Sequence, residues 1–225
     1  CQLGAIVNVG RDYKEYVATE QVLRDLDQVL NRGEKIDVIT YSGSGEPTLA
    51  SNLEAIIKDV KVKCPKIPQY ILTNATEMGL PAAQRALRLL DKVIVKIDAS
   101  NEEIFQKVNR PATGITLHSV LENIVEFKKT YTGQLEVQTM FMPLNSQAGM
   151  EALAEILKRI GPTVVQLNTP KRPYPMKWQR ENRGNHSGIF HCEVRQIKGI
   201  SEAEAKVFES ELRKLTGLPI LSVYH

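Results

Sequence analysis

The sequence predicts an α/β fold built on a parallel sheet, on three observations. Apolar, β-branched runs alternate with helical patterns about every thirty residues, the rhythm of repeated βα units. The strand-like runs are largely apolar throughout, as in Val93, Ile94, Val95 and Ile97; strands buried on both faces lose their period-2 alternation, so helices are expected over them. The polar residues gather where those runs end, which in parallel βα architectures is the functional side.

Taken in order, the first helix spans Thr19 to Arg32 with its stripe at Val22, Leu23, Leu26, Val29 and Leu30, and Gly33 stops it. Strands follow at Val38 to Ser42, Tyr70 to Thr73, Lys92 to Asp98, Leu135 to Phe141, Thr163 to Asn168 and Ile220 to Val223. Capping-box spacing at Ser51 with Glu54 and at Ser201 with Glu204 opens two helices. Pro81 suits a first helical turn, and Gly161-Pro162 a helix end. The first helix has no strand in front of it except the weak Gly4 to Val9, so a missing N-terminal strand is expected. Residues 170–194, rich in Pro, Arg, Asn, Gly and aromatics, break the rhythm and read as a long loop over the sheet's functional end.

The 225 residues, 42% hydrophobic and 24% charged, suit a single domain over residues 1–225. No apolar run is long enough for a membrane helix, so no membrane partner is expected. A net charge of +3 is too mild to imply an anionic partner unless the basic residues cluster. Cys1, Cys64 and Cys192 form neither a disulfide framework nor a CxxC clip, which fits a reducing cytoplasm. His118, His186, His191 and His225 lack metal-ligand spacing. A chain opening on Cys1 suggests N-terminal truncation; an acylated lipoprotein start is the rival, disfavoured because no polar tether comes after it.

The strand ends deliver Ser42-Gly43-Ser44-Gly45-Glu46-Pro47-Thr48, Thr73-Asn74, Asp98-Ala99-Ser100, Gln138 to Met142 and Asn168-Thr169-Pro170. Small residues in the first let a ligand approach the backbone, and Pro47 stiffens its exit; a plain Gly-rich βα turn is the alternative. With CQLG at the start, this order resembles the radical S-adenosylmethionine superfamily, which carries a CxxxCxxC loop and then a GGEP-like segment. Cys1 matches the third cysteine, and Ser44, Gly45, Glu46 and Pro47 match GGEP with serine for the first glycine. SGSGEPTL, LTNA, VNRP and VQLNTPKRP further resemble iron-sulfur oxidoreductases grouped with wyosine-type tRNA-modifying synthases.

The resemblance implies a partial (β/α)6 TIM-like barrel whose first strand and cluster loop are missing or incomplete. It implies a 4Fe-4S cluster with Cys1 as one ligand, S-adenosylmethionine, and a 5′-deoxyadenosyl radical that abstracts hydrogen. It also implies an electron donor such as flavodoxin or ferredoxin, and the chain alone is expected not to hold the cluster. The backbone of Ser44, Gly45 and Glu46 is expected to take the methionyl ammonium, with Glu46 locking the turn as the alternative. Thr73 and Asn74 would lie near the methionyl or ribose part, or cap the next helix. Asp98 would take ribose hydroxyls, pair with Lys96, or cap a helix near Asn101. Gln138, with Met140 and Met142, would roof the nucleoside beside Asn168, and Arg110 would meet a carboxylate or phosphate or form a surface salt bridge. Lys171, Arg172, Lys177, Arg180 and Arg183, with Tyr174 and Trp178 among them, have the composition of an RNA-binding loop, a solvated insertion over the barrel mouth being the alternative; with the resemblance to tRNA-modifying synthases, tRNA is the expected substrate. A noncatalytic RNA-binding barrel, or a radical enzyme acting on a small molecule or peptide, are the alternatives.

Overall fold

The computed structural model describes residues 10–43, 45–140, 147–169, 173–178, 192–195 and 201–223. The elements run α1 (Thr19–Asn31), β1 (Ile39–Tyr41), α2 (Leu53–Lys63), β2 (Gln69–Thr73), α3 (Pro81–Leu87), β3 (Lys92–Lys96) and a short α4 (Glu102–Ile104). Then come α5 (Leu117–Thr130), β4 (Gln134–Met140), α6 (Gln147–Ile160), β5 (Val164–Asn168), β6 (Tyr174–Pro175), β7 (Val194–Arg195), α7 (Glu202–Thr216) and β8 (Ile220–Ser222). Six strands form one all-parallel sheet in the order β1-β2-β3-β4-β5-β8. Each strand lies beside its predecessor and the order never reverses, so the sheet winds one way, as in a partial (β/α) barrel, without the switch point of a doubly wound sheet.

One core joins sheet and helices. Ile71, Val93, Val95, Ile97, Leu135, Val137, Val165, Leu167 and Ile220 face Leu53, Ile57, Leu87, Ile124, Phe127, Leu153, Leu157 and Leu212. The alternate residues turn to the other face, and there the expectation of strands apolar on both sides fails. Lys92, Lys96, Glu136, Gln138 and Gln166 occupy that face together with Tyr70, Leu72 and Ile94. The described helices cover only the first side, and the inner side of the partial barrel mixes these polar groups with apolar ones.

The expected stops and starts mostly hold. Gly33, with φ +70°, ends α1; Pro81 opens α3; Gly161, with φ +59°, comes directly after α6; and Ser201 and Glu204 form the capping box of α7. The capping box expected at Ser51 and Glu54 does not form. Asn52 precedes α2 without a side-chain cap, the Ser51 amide donates to the Lys14 carbonyl, and Glu54 pairs with Lys58 and Arg85. Thr116 and Ser119 make an unforeseen box on α5. Ahead of α1, Lys14 bridges to Ala50, and Arg11 grips the buried Glu77 with two bonds of 2.8 and 3.0 Å. The weak strand expected over Gly4 to Val9 lies outside the described residues. Among the described residues, no helix is long and apolar enough to cross a membrane.

Candidate functional site

The turn after β1 is built around one carboxylate. Glu46 precedes the short 3-10 turn Pro47–Leu49, and its Oε1 accepts from the Thr48 amide (3.2 Å), the Thr48 hydroxyl (2.7 Å) and the Thr73 hydroxyl (2.6 Å). Its Oε2 accepts from the Asn74 amide at 2.7 Å. Burial pushes the Glu46 carboxyl above its ordinary pKa, and the hydrogen bonds from Thr73, Asn74 and Thr48 pull the other way. The carboxylate thus ties the ends of β1 and β2 together, as the turn-locking alternative expects. A Cβ added at Gly43 or Gly45 would meet no heavy atom of the described residues within 4 Å, which leave open space beside the backbone of this turn. Ser44 lies outside the described residues.

Thr73 and Asn74 are likewise engaged locally. The Thr73 hydroxyl also accepts from the Ala75 amide at 3.0 Å. The Asn74 side-chain oxygen accepts from the Thr76 amide (2.9 Å) and hydroxyl (2.7 Å), closing an Asx turn, which matches the local capping role.

Asp98, two residues past β3, is buried. Its Oδ1 accepts from the Met140 amide (2.8 Å) and the Lys96 ammonium (3.1 Å), and its Oδ2 from the Asn109 amide nitrogen (3.2 Å). The helix-cap alternative for Asp98 is overturned: Asn101 caps α4, accepting from the Ile104 amide at 2.9 Å. Three donors balance the Asp98 charge and pin β3 to β4, which is what a buried carboxylate requires. Beside it, the Ser100 hydroxyl is buried with no partner among the described residues.

Gln138 pairs in register with Lys96 on one side and Gln166 on the other, and Met140 with Asn168. The Gln138 amide nitrogen donates to Gln166 Oε1 at 3.2 Å, and Gln166 donates to Glu136 Oε2 at 2.6 Å. Glu136 Oε1 meets the Lys92 ammonium at 2.5 Å, and Lys92 lies over the Tyr70 ring at 4.7 Å. Asn168 accepts from the Thr169 amide at 2.8 Å. Gly45, Asn74, Asp98 and Gln138 thus stand at the carboxyl ends of four adjoining strands. Lys92, Glu136 and Gln166 are the residues sequence reasoning missed. Their signal was the polar alternation Gln134, Glu136, Gln138 within β4, matched by Gln166 and Asn168 in β5.

The segment expected as one loop contains the antiparallel ribbon β6–β7, with Tyr174 opposite Arg195 and Pro175 opposite Val194. Arg110, in a left-handed conformation, donates to the Tyr174 hydroxyl at 2.8 Å, and the guanidinium groups of Arg110 and Arg195 lie 5.7 and 5.4 Å from the Tyr174 ring. Arg110 therefore moors the ribbon to the barrel. Trp178 is 68% exposed and Met176 53%. Lys171, Arg172, Arg180 and Arg183 lie outside the described residues, as do Met142 and Cys1. Cys64 is buried at the end of α2, where the chain enters the amino-terminal side of the sheet, and Cys192 sits beside the ribbon. Among the described residues no three His, Cys, Asp or Glu side chains gather as a metal site.

No known family profile matches the sequence. A UPF0026 protein of Synechocystis sp. is 38% identical over 222 residues, covering 98% of this chain and 83% of that protein. The chain belongs to the UPF0026 family. A second UPF0026 protein, from Methanocaldococcus jannaschii, is 30% identical over 182 residues, and the match spans 56% of its length. The UPF0026 fold is similar to that of a radical SAM methyltransferase from Sphaerobacter thermophilus, with a TM-score of 0.58 at 18% identity over 91% of this chain and 55% of the other. A domain of pyruvate-formate lyase-activating enzyme from Bacteroides vulgatus gives 0.54 at 15% identity, over 82% of this chain and 98% of that domain. At these identities the likeness is one of fold.

Proposed function

We propose that this UPF0026 chain is the greater part of a radical S-adenosylmethionine enzyme that binds its cosubstrate at the carboxyl ends of β1 to β5. The observation that carries this reading is the glycine-containing turn that half-buried Glu46 locks against β2, open to a ligand and set on a fold shared with radical SAM enzymes. The local chemistry suits the cosubstrate: carbonyls of the turn for an ammonium, and the Ser100 hydroxyl and Gln138 amide for a nucleoside. Asp98 serves by holding Lys96 and β4 in place, leaving the ribose to other groups.

S-adenosylmethionine and a 4Fe-4S cluster, when bound, supply a carbon radical for hydrogen abstraction. The described residues do not furnish the cluster's thiolates, and on this reading Cys1 is one ligand and the others also lie outside them. The protein's share is to position the nucleoside and exclude water. The test is anaerobic reconstitution of the full-length protein, followed by iron and sulfide analysis and assay of 5′-deoxyadenosine under a flavodoxin or ferredoxin reducing system. About four irons and reductant-dependent 5′-deoxyadenosine are expected; a protein that binds neither iron nor S-adenosylmethionine would favour the noncatalytic RNA-binding barrel.

RNA, and tRNA in particular, is the substrate this reading assigns, as in the wyosine-type synthases that the sequence motifs resemble. Its support is the moored ribbon, which displays Trp178 as an aromatic face next to Lys177, with Arg195 across the ribbon. Oxidoreductase or synthase chemistry on the bound RNA, in the cytoplasm, completes the proposal. Removing Lys171, Arg172, Lys177, Arg180 and Arg183 together is expected to weaken tRNA binding and flatten its dependence on salt, because fewer neutralised phosphates release fewer counterions on binding. An unchanged salt slope points to a small-molecule or peptide substrate.

A further inference from the structure

We infer that the chain Lys92–Glu136–Gln166 sets the orientation of the Gln138 amide, so that its NH2 group is held at Gln166 and its carbonyl oxygen is the hydrogen-bond acceptor offered to the nucleoside of the ligand. This rests on the proposed cosubstrate site. The argument starts at Glu136, a buried residue in ion contact with Lys92 at 2.5 Å. A carboxylate only accepts. Gln166 must therefore turn its NH2 group to Glu136, which it does at 2.6 Å, and this leaves its carbonyl oxygen facing Gln138. That oxygen can be satisfied only by a donor, so Gln138 turns its own NH2 toward it, at 3.2 Å. Two amides that either orientation would suit in isolation are thus ordered by one charge.

The consequence appears at the ligand end. Gln138 Oε1 has no partner among the described residues and lies two residues before the end of β4, on the face away from the helices. Hydroxyl and amino groups of a nucleoside are the donors it suits. Glu136 and Gln166 are positioning residues, acting through Gln138; Lys92 keeps the buried Glu136 charge compensated. Polar chains of this kind stay fixed because reversing one link leaves a buried donor facing a donor.

The test uses the full-length protein and S-adenosylhomocysteine, which carries the same nucleoside. Glu136→Gln gives the chain a link that can point either way. We expect its affinity for S-adenosylhomocysteine to fall about tenfold, a typical loss for one hydrogen bond. The Gln138 side-chain amide resonances should shift, with faster exchange of their protons with solvent. Gln138→Met should lose the same factor, and the double variant no more than either alone, because both act on one bond. Gln166→Met cuts the chain without disturbing the Lys92–Glu136 pair, and keeps the comparison possible should Glu136→Gln fail to fold. Variants that bind like the wild type, or losses that add, overturn the relay and leave the cosubstrate site standing. A wild-type protein that binds no S-adenosylhomocysteine overturns both.

Discussion

The two faces of one sheet obey opposite rules although they alternate along the same strands. In β3, Val93 and Val95 are sealed under the helices while Lys92 and Lys96 point to the other side. In β4, Leu135 and Val137 enter the core while Glu136 and Gln138 join a chain of polar bonds. The helix-covered face is held by apolar area and close packing, where shape matters and no single bond does. The inner face is held by charges and amides that need particular partners, so there a change of hydrogen-bonding sense matters more than a change of volume.

That contrast can be broken first by substitutions on each face. Ile71→Ala, at a fully buried position in β2, should cost about 2–5 kcal/mol by removing methylenes and leaving a cavity. Gln138→Met should cost less than about 1.5 kcal/mol in stability while weakening nucleoside binding. Urea melts of the two variants, set beside ligand titration, check it; equal stability losses would mean the inner face is packed like the core. An effect between these two is expected at the turn after β1. Glu46→Ala abandons the donors of Thr48, Thr73 and Asn74 and should lower stability by roughly 2–3 kcal/mol, with a larger loss of ligand binding as the glycine turn loosens.

The same residue sharpens the comparison through pH. Because burial raises the Glu46 carboxyl above its unfolded value, the folded state binds that proton more tightly. Its contribution to stability is full below the unfolded pKa and declines as pH rises through the folded one. Wild type should therefore lose ground against Glu46→Gln as pH increases from the acidic side, then level off. Melts at a series of pH values check the sign, and wild type gaining on the variant toward neutral pH would show that the hydrogen bonds outweigh burial. The smallest stability effect belongs to exposed Trp178: Trp178→Ala should change stability by less than about 0.5 kcal/mol, yet cost roughly 1–3 kcal/mol in binding an unpaired base. Thermal melts and RNA titration separate the two.

Much of the fold was legible because it is written locally. The stripe of α1, the stop at Gly33, Pro81 at the start of α3 and the Ser201–Glu204 box are each decided within a few residues, and structure and sequence agree there to within a residue or two. The strand ends could be named for the same reason, since a βα repeat dictates which end of each apolar run is the functional one. The Ser51 box failed because a residue 37 positions earlier, Lys14, accepts the Ser51 amide, and spacing carries no record of such competition.

The sequence by itself determined the βα repeat, the parallel class and the polar strand ends, since side-chain period and turn chemistry are short-range properties of the chain. Only the tertiary structure decided that Glu46 reaches Thr73 and Asn74, that Asp98 binds β4 and not the next helix, and that Arg110 moors Tyr174 across 64 residues. It alone revealed the inner face, because whether Lys92 and Glu136 meet depends on the register of neighbouring strands and on which side the helices leave open. Those are outcomes of chain topology, in which the cost of burying each charge is offset only by partners brought from a different strand.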